Sequence, residues 1–148
     1  MHRISDFFGN HILLCALLSW CAAQVLKVLI SMLIDKRFNW RRFIDMGGMP
    51  SSHSAFVFSL MLMTGIKEGF ASTYFALAFC LAAIVIYDAM GVRAETGKQG
   101  AVLNHILREL LLEGKPITEE KLKELVGHTP LEVVGGILVG LVMVLIMT

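Results

Sequence analysis

Apolar residues run in four blocks along this chain, and polar residues collect in the segments between them. The first block covers residues 11–34 and is interrupted by Gln24 and Lys27. A helix needs about 20 residues to cross the hydrocarbon core, so this block is long enough. A secretory signal is the rival reading, since Arg3 precedes an apolar stretch that reaches Cys21-Ala22-Ala23. The block continues past Val25, longer than the apolar core of such a signal, which favours a membrane helix. A polar segment, 35–48, follows with Lys36, Arg37, Arg41 and Arg42. Pro50-Ser51-Ser52-His53 then has the form of a helix start, because a serine can cap and an apolar block, 55–66, comes next. Lys67-Glu68-Gly69 breaks the pattern, and a third block runs over 73–87 to Asp88.

Residues 91–128 are polar but helical in pattern. Leu103, Ile106, Leu107, Leu110 and Leu111 recur at helical spacing, which predicts an amphipathic helix packed on the bundle or lying at the membrane interface. Pro116 breaks it, Thr118 with Glu119 and Glu120 restarts it, and Gly127 ends the second piece. The last block, 131–147, predicts a fourth membrane helix. It contains Gly136-x-x-x-Gly140, a spacing that permits close helix packing or a dimer contact. The expected fold is all-α, an integral membrane helix bundle of about four membrane helices plus an amphipathic helical insert, in one domain over 1–148.

Composition agrees with the pattern. The 148 residues leave room for a single domain. Hydrophobic residues are 56% and charged residues 17%, where a soluble domain has about 25% charged. With a mean hydropathy of +0.71, a soluble core of this size could not hide the apolar surface, so lipid must cover part of it. The net charge of +1 gives no reason to expect a nucleic-acid partner. Cys15, Cys21 and Cys80 lie inside apolar blocks without metal-ligand spacing and read as small hydrophobes. The nine methionines read as packing or lipid-facing residues.

The distribution of charge adds an orientation. Of the 13 Lys and Arg, four lie in 35–48 and six in 91–129. With four spans these two loops share a side, which the positive-inside rule makes cytoplasmic, and both termini then face outward. Two of the blocks are shorter than about 20 residues, so they are expected to be tilted, re-entrant or buried by neighbours.

That topology gathers chemistry at one end. Lys27 lies in the second half of the first helix, Ser51, Ser52 and His53 open the second, Asp88 ends the third ahead of Arg93, and His128 and Glu132 open the fourth. Lys27, Arg93 and either Arg41 or Arg42 supply fixed cations, and the amides after Pro50 open a helix N-terminus, which attracts anions. Arginine matches phosphate oxygens with a planar fork. Of two histidines, one can attack phosphorus and the other protonate the leaving oxygen. Glu132 stands four residues after His128 on the same helix face and can hold its imidazole. The sum is a phosphoryl-transfer site that needs no metal.

Each residue also has a plainer reading. Lys27 can snorkel from a helix end, Arg41 and Arg42 can set topology, and the histidines can sit as interfacial caps. Asp88 can pair with Arg93 and serve structure. Glu132 is harder to assign so, because a carboxylate entering a membrane helix needs a partner. His2, His11 and His105 have no partners at useful spacing.

Three segments carry a resemblance: Gly47-Gly48-Met49-Pro50-Ser51-Ser52-His53-Ser54-Ala55, Asp88-Ala89-Met90-Gly91-Val92-Arg93 and Gly127-His128-Thr129-Pro130-Leu131-Glu132-Val133. Together they resemble the divergent branch of the type 2 phosphatidic acid phosphatase superfamily, related to acid phosphatases and vanadium haloperoxidases. The resemblance implies a helical, membrane-embedded enzyme that removes phosphate from a lipid phosphate or pyrophosphate through a phosphohistidine, with no cofactor and no metal. Residue by residue it implies His128 as nucleophile, His53 as general acid and Glu132 as the orienting carboxylate. Lys27, Arg93, Arg42, Ser51 and Ser52 would bind phosphate, and Asp88 would support them. Ser52 stands where the parent motif has glycine, no Arg-Pro follows Lys27, and the gap from Arg93 to His128 is far longer than in the parent. There are fewer membrane helices than the usual six-helix core, which a homodimer would complete.

Other readings use the same residues. A phospholipid-binding or scaffolding membrane protein would need the cations without the nucleophile. A CDP-alcohol phosphotransferase would need metal-binding aspartates downstream of Asp88, and no acidic residue stands between Glu95 and Glu109. A transporter would be expected to show internal repeats, and none is visible.

Overall fold

The computed structural model describes residues 7–35, 48–91, 99–100, 102–104, 106 and 129–148. Among these residues there is no strand, and the elements are α1 (His11–Asp35), α2 (Ser52–Glu68), α3 (Thr73–Met90) and α4 (Pro130–Met147). Each helix starts where a short polar side chain can take over an orphan amide. Asn10 Oδ1 accepts from the amides of Ile12 and Leu13, both at 3.1 Å. Ser51 accepts from Ser54 N, Ser72 from Phe75 N at 3.1 Å, and Thr129 from Glu132 N. α2 and α3 form a hairpin whose turn begins at Gly69, with φ +90°, a backbone conformation that glycine adopts at no steric cost.

α2 lies at the centre. It packs against α1, α3 and α4, while α1 also packs on α4. At one end of the bundle Cys15 of α1, Met63 of α2 and Val144 of α4 meet in a core lined by Ile12, Leu62 and Met147. At the other end the N-termini of α2 and α4 come together, since Ser51 N donates to Glu132 O at 2.9 Å. Thus α2 and α4 run parallel, and α1 and α3 run the opposite way.

The chain is an all-α membrane helix bundle. Its surface is apolar: α3 buries only Ala82 and Ala89, while Leu77, Ile84 and Tyr87 are 65%, 68% and 74% exposed. Lipid is the solvent that suits such a surface. Among the described residues, three helices are long and apolar enough to cross a membrane, in α1, α3 and α4. The expectation of about four differs at α2, which has 17 residues. Its enclosure explains the difference. α2 buries Ser52, Ser54, Ser59 and Thr64, and serine and threonine make it more polar than its neighbours. Ser59 Oγ donates to Ala55 O at 2.7 Å and Thr64 Oγ1 to Leu60 O at 2.7 Å, so these hydroxyls are satisfied within the helix.

The Gly136-x-x-x-Gly140 spacing works inside the chain. A Cβ added at Gly136 would collide with Ser51 O and lie 2.9 Å from Ser54 Cβ, and one at Gly140 would lie 2.8 Å from Ala55 O. Both glycines therefore face the backbone of α2 across a close parallel crossing. Of the two uses expected for this motif, the structure has the close packing.

Candidate functional site

The polar end is built around the first turn of α2. Gly48 has φ +104°, a conformation a side chain rarely adopts. The Met49–Pro50 bond is cis, and Ser51 follows as an extended N-cap with φ −70° and ψ 113°. Ser51 Oγ accepts from Ser54 N at 3.3 Å and from Ser54 Oγ at 3.1 Å. With Ser51 N bonded to Glu132 O and Ala55 N to Ser51 O at 3.1 Å, Ser51 joins α2 to α4. The amides of Ser52 and His53 precede the first intrahelical bond and mark the positive end of the helix dipole.

Lys27 comes to this turn from α1. It is 3% exposed, and its Cγ and Cδ lie 3.6 Å from where a Cβ on Gly48 would sit. A Cβ at Gly48 would make ordinary contact with the stem of Lys27, so it is the positive φ that calls for glycine here. An amino group buried this deeply in a membrane helix is costly unless the surroundings offer negative or dipolar partners. Ser51, Ser52 and Ser54 are buried at 0%, 2% and 0% exposure, and His53 is half-buried.

α4 brings Glu132, which is half-buried. Thr129 N donates to Glu132 Oε2 at 3.3 Å, and Glu132 N donates to Thr129 Oγ1 at 3.3 Å. This is a capping box with Pro130 inside the first turn, an arrangement that starts helices in many proteins. Sequence reasoning paired Glu132 with His128 and passed over the Thr-x-x-Glu spacing that signals the box. Asp88 is half-buried in the last turn of α3, where Gly91 N closes the helix on Tyr87 O at 2.8 Å.

The structure thus brings Lys27, Ser51, Ser52, His53 and Glu132 to one end of the bundle. Asp88 lies in the last turn of α3, which runs towards that same end. Arg41, Arg42, Arg93 and His128 lie outside the described residues. Among the described residues no group of three or more His, Cys, Asp and Glu gathers as it would to hold a metal ion.

The whole chain can be compared with known proteins. It is 36% identical over 152 residues to an uncharacterized membrane protein, YuiD, of Bacillus subtilis (strain 168), a match covering 96% of this chain and 96% of that one. No solved structure matches. The model of the divergent PAP2 family matches residues 8–143, which include the α1 lysine, the 47–55 segment and the start of α4. The chain belongs to the divergent PAP2 family.

Proposed function

We propose that this protein is a membrane phosphatase that hydrolyses a lipid phosphate or pyrophosphate through a phosphohistidine, without a metal. The observation that carries the reading is Lys27: a lysine with 3% exposure, its stem beside Gly48 in the turn that leads into α2. A buried cation at a helix N-terminus suits a bound phosphate group. In the reaction His128 attacks phosphorus, the bond from phosphorus to the lipid oxygen breaks, and His53 gives that oxygen a proton. Water then attacks the phosphohistidine, loses a proton to His53 and releases inorganic phosphate. Lys27, Arg93 and Arg42 stabilise the equatorial oxygens throughout, the usual source of most phosphoryl-transfer catalysis. Ser51 and Ser52 shape the phosphate cradle, and Glu132 holds the imidazole of His128. The basic loops support a cytoplasmic side for this end under the positive-inside rule, with four spans.

A second reading, a phospholipid-binding or scaffolding protein without catalysis, is favoured by one observation. The Glu132 carboxylate is engaged in a capping box, which gives that acidic residue a structural use. Phosphate release by detergent-purified protein from a panel of lipid phosphates, in EDTA, separates the two. The catalytic reading expects release by the wild type, loss of at least about 100-fold in His128→Ala and His53→Ala, and a comparable loss in Lys27→Met. Lipid phosphate binding with no release from any substrate would replace it by the binding reading.

A further inference from the structure

Between α3 and α4 a short helical stretch carries its polarity turned outward-in. Residues 99–100, 102–104 and 106 are helical. Val102, Leu103 and Ile106 are 60%, 49% and 47% exposed, while Asn104 is 6% exposed and Gly100 is buried. A helix lying on a protein in water does the reverse, turning its apolar face to the core and its asparagine to solvent. The reversed arrangement is stable only where the surroundings are apolar and the protein side offers hydrogen bonds.

The sequence around it fixes which apolar surroundings. Lys98 and Arg108 bracket the stretch, and no acidic residue stands between Glu95 and Glu109. The segment between the two basic residues is too short to cross about 30 Å of hydrocarbon. A short helical stretch with an apolar outer face, flanked in the sequence by basic residues, suits the headgroup boundary, where lysine and arginine can reach phosphates while apolar side chains enter the acyl region. The exposed apolar surface of the preceding helix α3 continues to its end, with Tyr87 and Met90 at 74% and 37% exposure.

We propose that this helical stretch is an interfacial anchor lying in an anionic leaflet, with Val102, Leu103 and Ile106 in lipid and Asn104 turned to the protein. Site-directed nitroxide labelling tests it. The exposed Cys21 and Cys80 are replaced by alanine and the fully buried Cys15 is kept. Val102→Cys, Leu103→Cys, Ile106→Cys and Asn104→Cys are then labelled one at a time. The full chain is reconstituted in vesicles of phosphatidylcholine with phosphatidylglycerol, and in vesicles of phosphatidylcholine alone.

At 102, 103 and 106, collision with oxygen should exceed collision with a water-soluble nickel chelate severalfold, and the depth should be greater in the anionic vesicles. The label at 104 should be shielded from both reagents. Nickel collisions exceeding those of oxygen at the three outer positions would place the face in water and overturn the proposal. So would shielding from both reagents with spin–spin broadening that disappears on dilution with unlabelled protein, which would put a second copy on this face. Equal depth in the two vesicle types would overturn the anionic leaflet. If Asn104→Cys fails to fold, the three outer positions decide the matter alone.

Discussion

The close crossing of α2 and α4 gives the most demanding test of the fold. An alanine at Gly136 would place its Cβ on top of Ser51 O, 2.9 Å from Ser54 Cβ and 3.2 Å from Ala55 N. None of these atoms is the end of a flexible side chain, so the helices themselves must move. Carbon atoms pack at about 3.5–4.0 Å, which calls for a local separation of roughly 1 Å. Overpacking of this kind costs about 1–3 kcal/mol. The same separation would stretch the 2.9 Å bond from Ser51 N to Glu132 O, removing about 1 kcal/mol more. Gly135→Ala is the matched control. There a Cβ would meet Met49 Cε at 3.2 Å and Pro50 Cβ at 3.4 Å, and the methionine can swing aside. Both changes gain the same helix propensity, about 1 kcal/mol, which cancels in the comparison. Thermal unfolding in detergent should put Gly136→Ala below Gly135→Ala by about 5–10 °C. Equal transition temperatures for the two variants would refute the crossing.

Two further changes test the polar end. Gly48→Ala forces a side chain into φ +104° and should cost about 1–3 kcal/mol, lowering the melting temperature in detergent; an unchanged melt would mean that the turn is not held as described. Thr129→Ala should remove about 1 kcal/mol with the cap and Thr129→Ser should restore it, while Glu132→Gln keeps the box, which accepts either residue. If phosphate release nevertheless collapses in Glu132→Gln without loss of stability, the carboxylate acts on His128 as well as on its own helix.

Much of the fold was legible because lipid imposes a simple rule on the sequence. The block at 11–34 became His11–Asp35, the block at 73–87 became Thr73–Met90, and the last became Pro130–Met147. Apolar length and cap residues suffice for that. The helix start at Pro50-Ser51-Ser52-His53 was equally plain, since only the cap geometry of Ser51 had to be guessed. The position of α2 was not legible. Hydropathy counts how apolar a segment is, and it cannot say whether a moderately polar helix faces lipid or is wrapped by three others. The direction in which Gly136 and Gly140 point was hidden for a related reason: close approach to a neighbouring helix looks the same within a chain as between chains. At the site, Lys27 and the start of α2 could be brought together by topology alone. That the lysine stem lies beside Gly48, and that Gly48 takes a positive φ, no spacing reveals.

The membrane fold and the candidate site share one set of contacts. Gly136 and Gly140 let α4 lie on the backbone of α2 at Ser51, Ala55 and Ser59, beside Ser54 Cβ and the ring of Phe58. Larger residues there would hold the helices apart and draw Glu132 away from Ser51. Small residues are therefore needed at the start of α2 for packing, and three of them, Ser51, Ser52 and Ser54, are buried there. Lys27 completes the arrangement from the other side, where a long stem lets a cation on α1 reach a turn that has no side chain at Gly48. The charged end is thus positioned by backbone-to-backbone contacts, which leave little freedom once α2 is enclosed. A scaffold fixed in this way suits chemistry that depends on aligned dipoles and cations, and it gives the same stiffness to a site that only binds. What separates the two is the behaviour of the histidines and of Glu132, not the architecture that holds them.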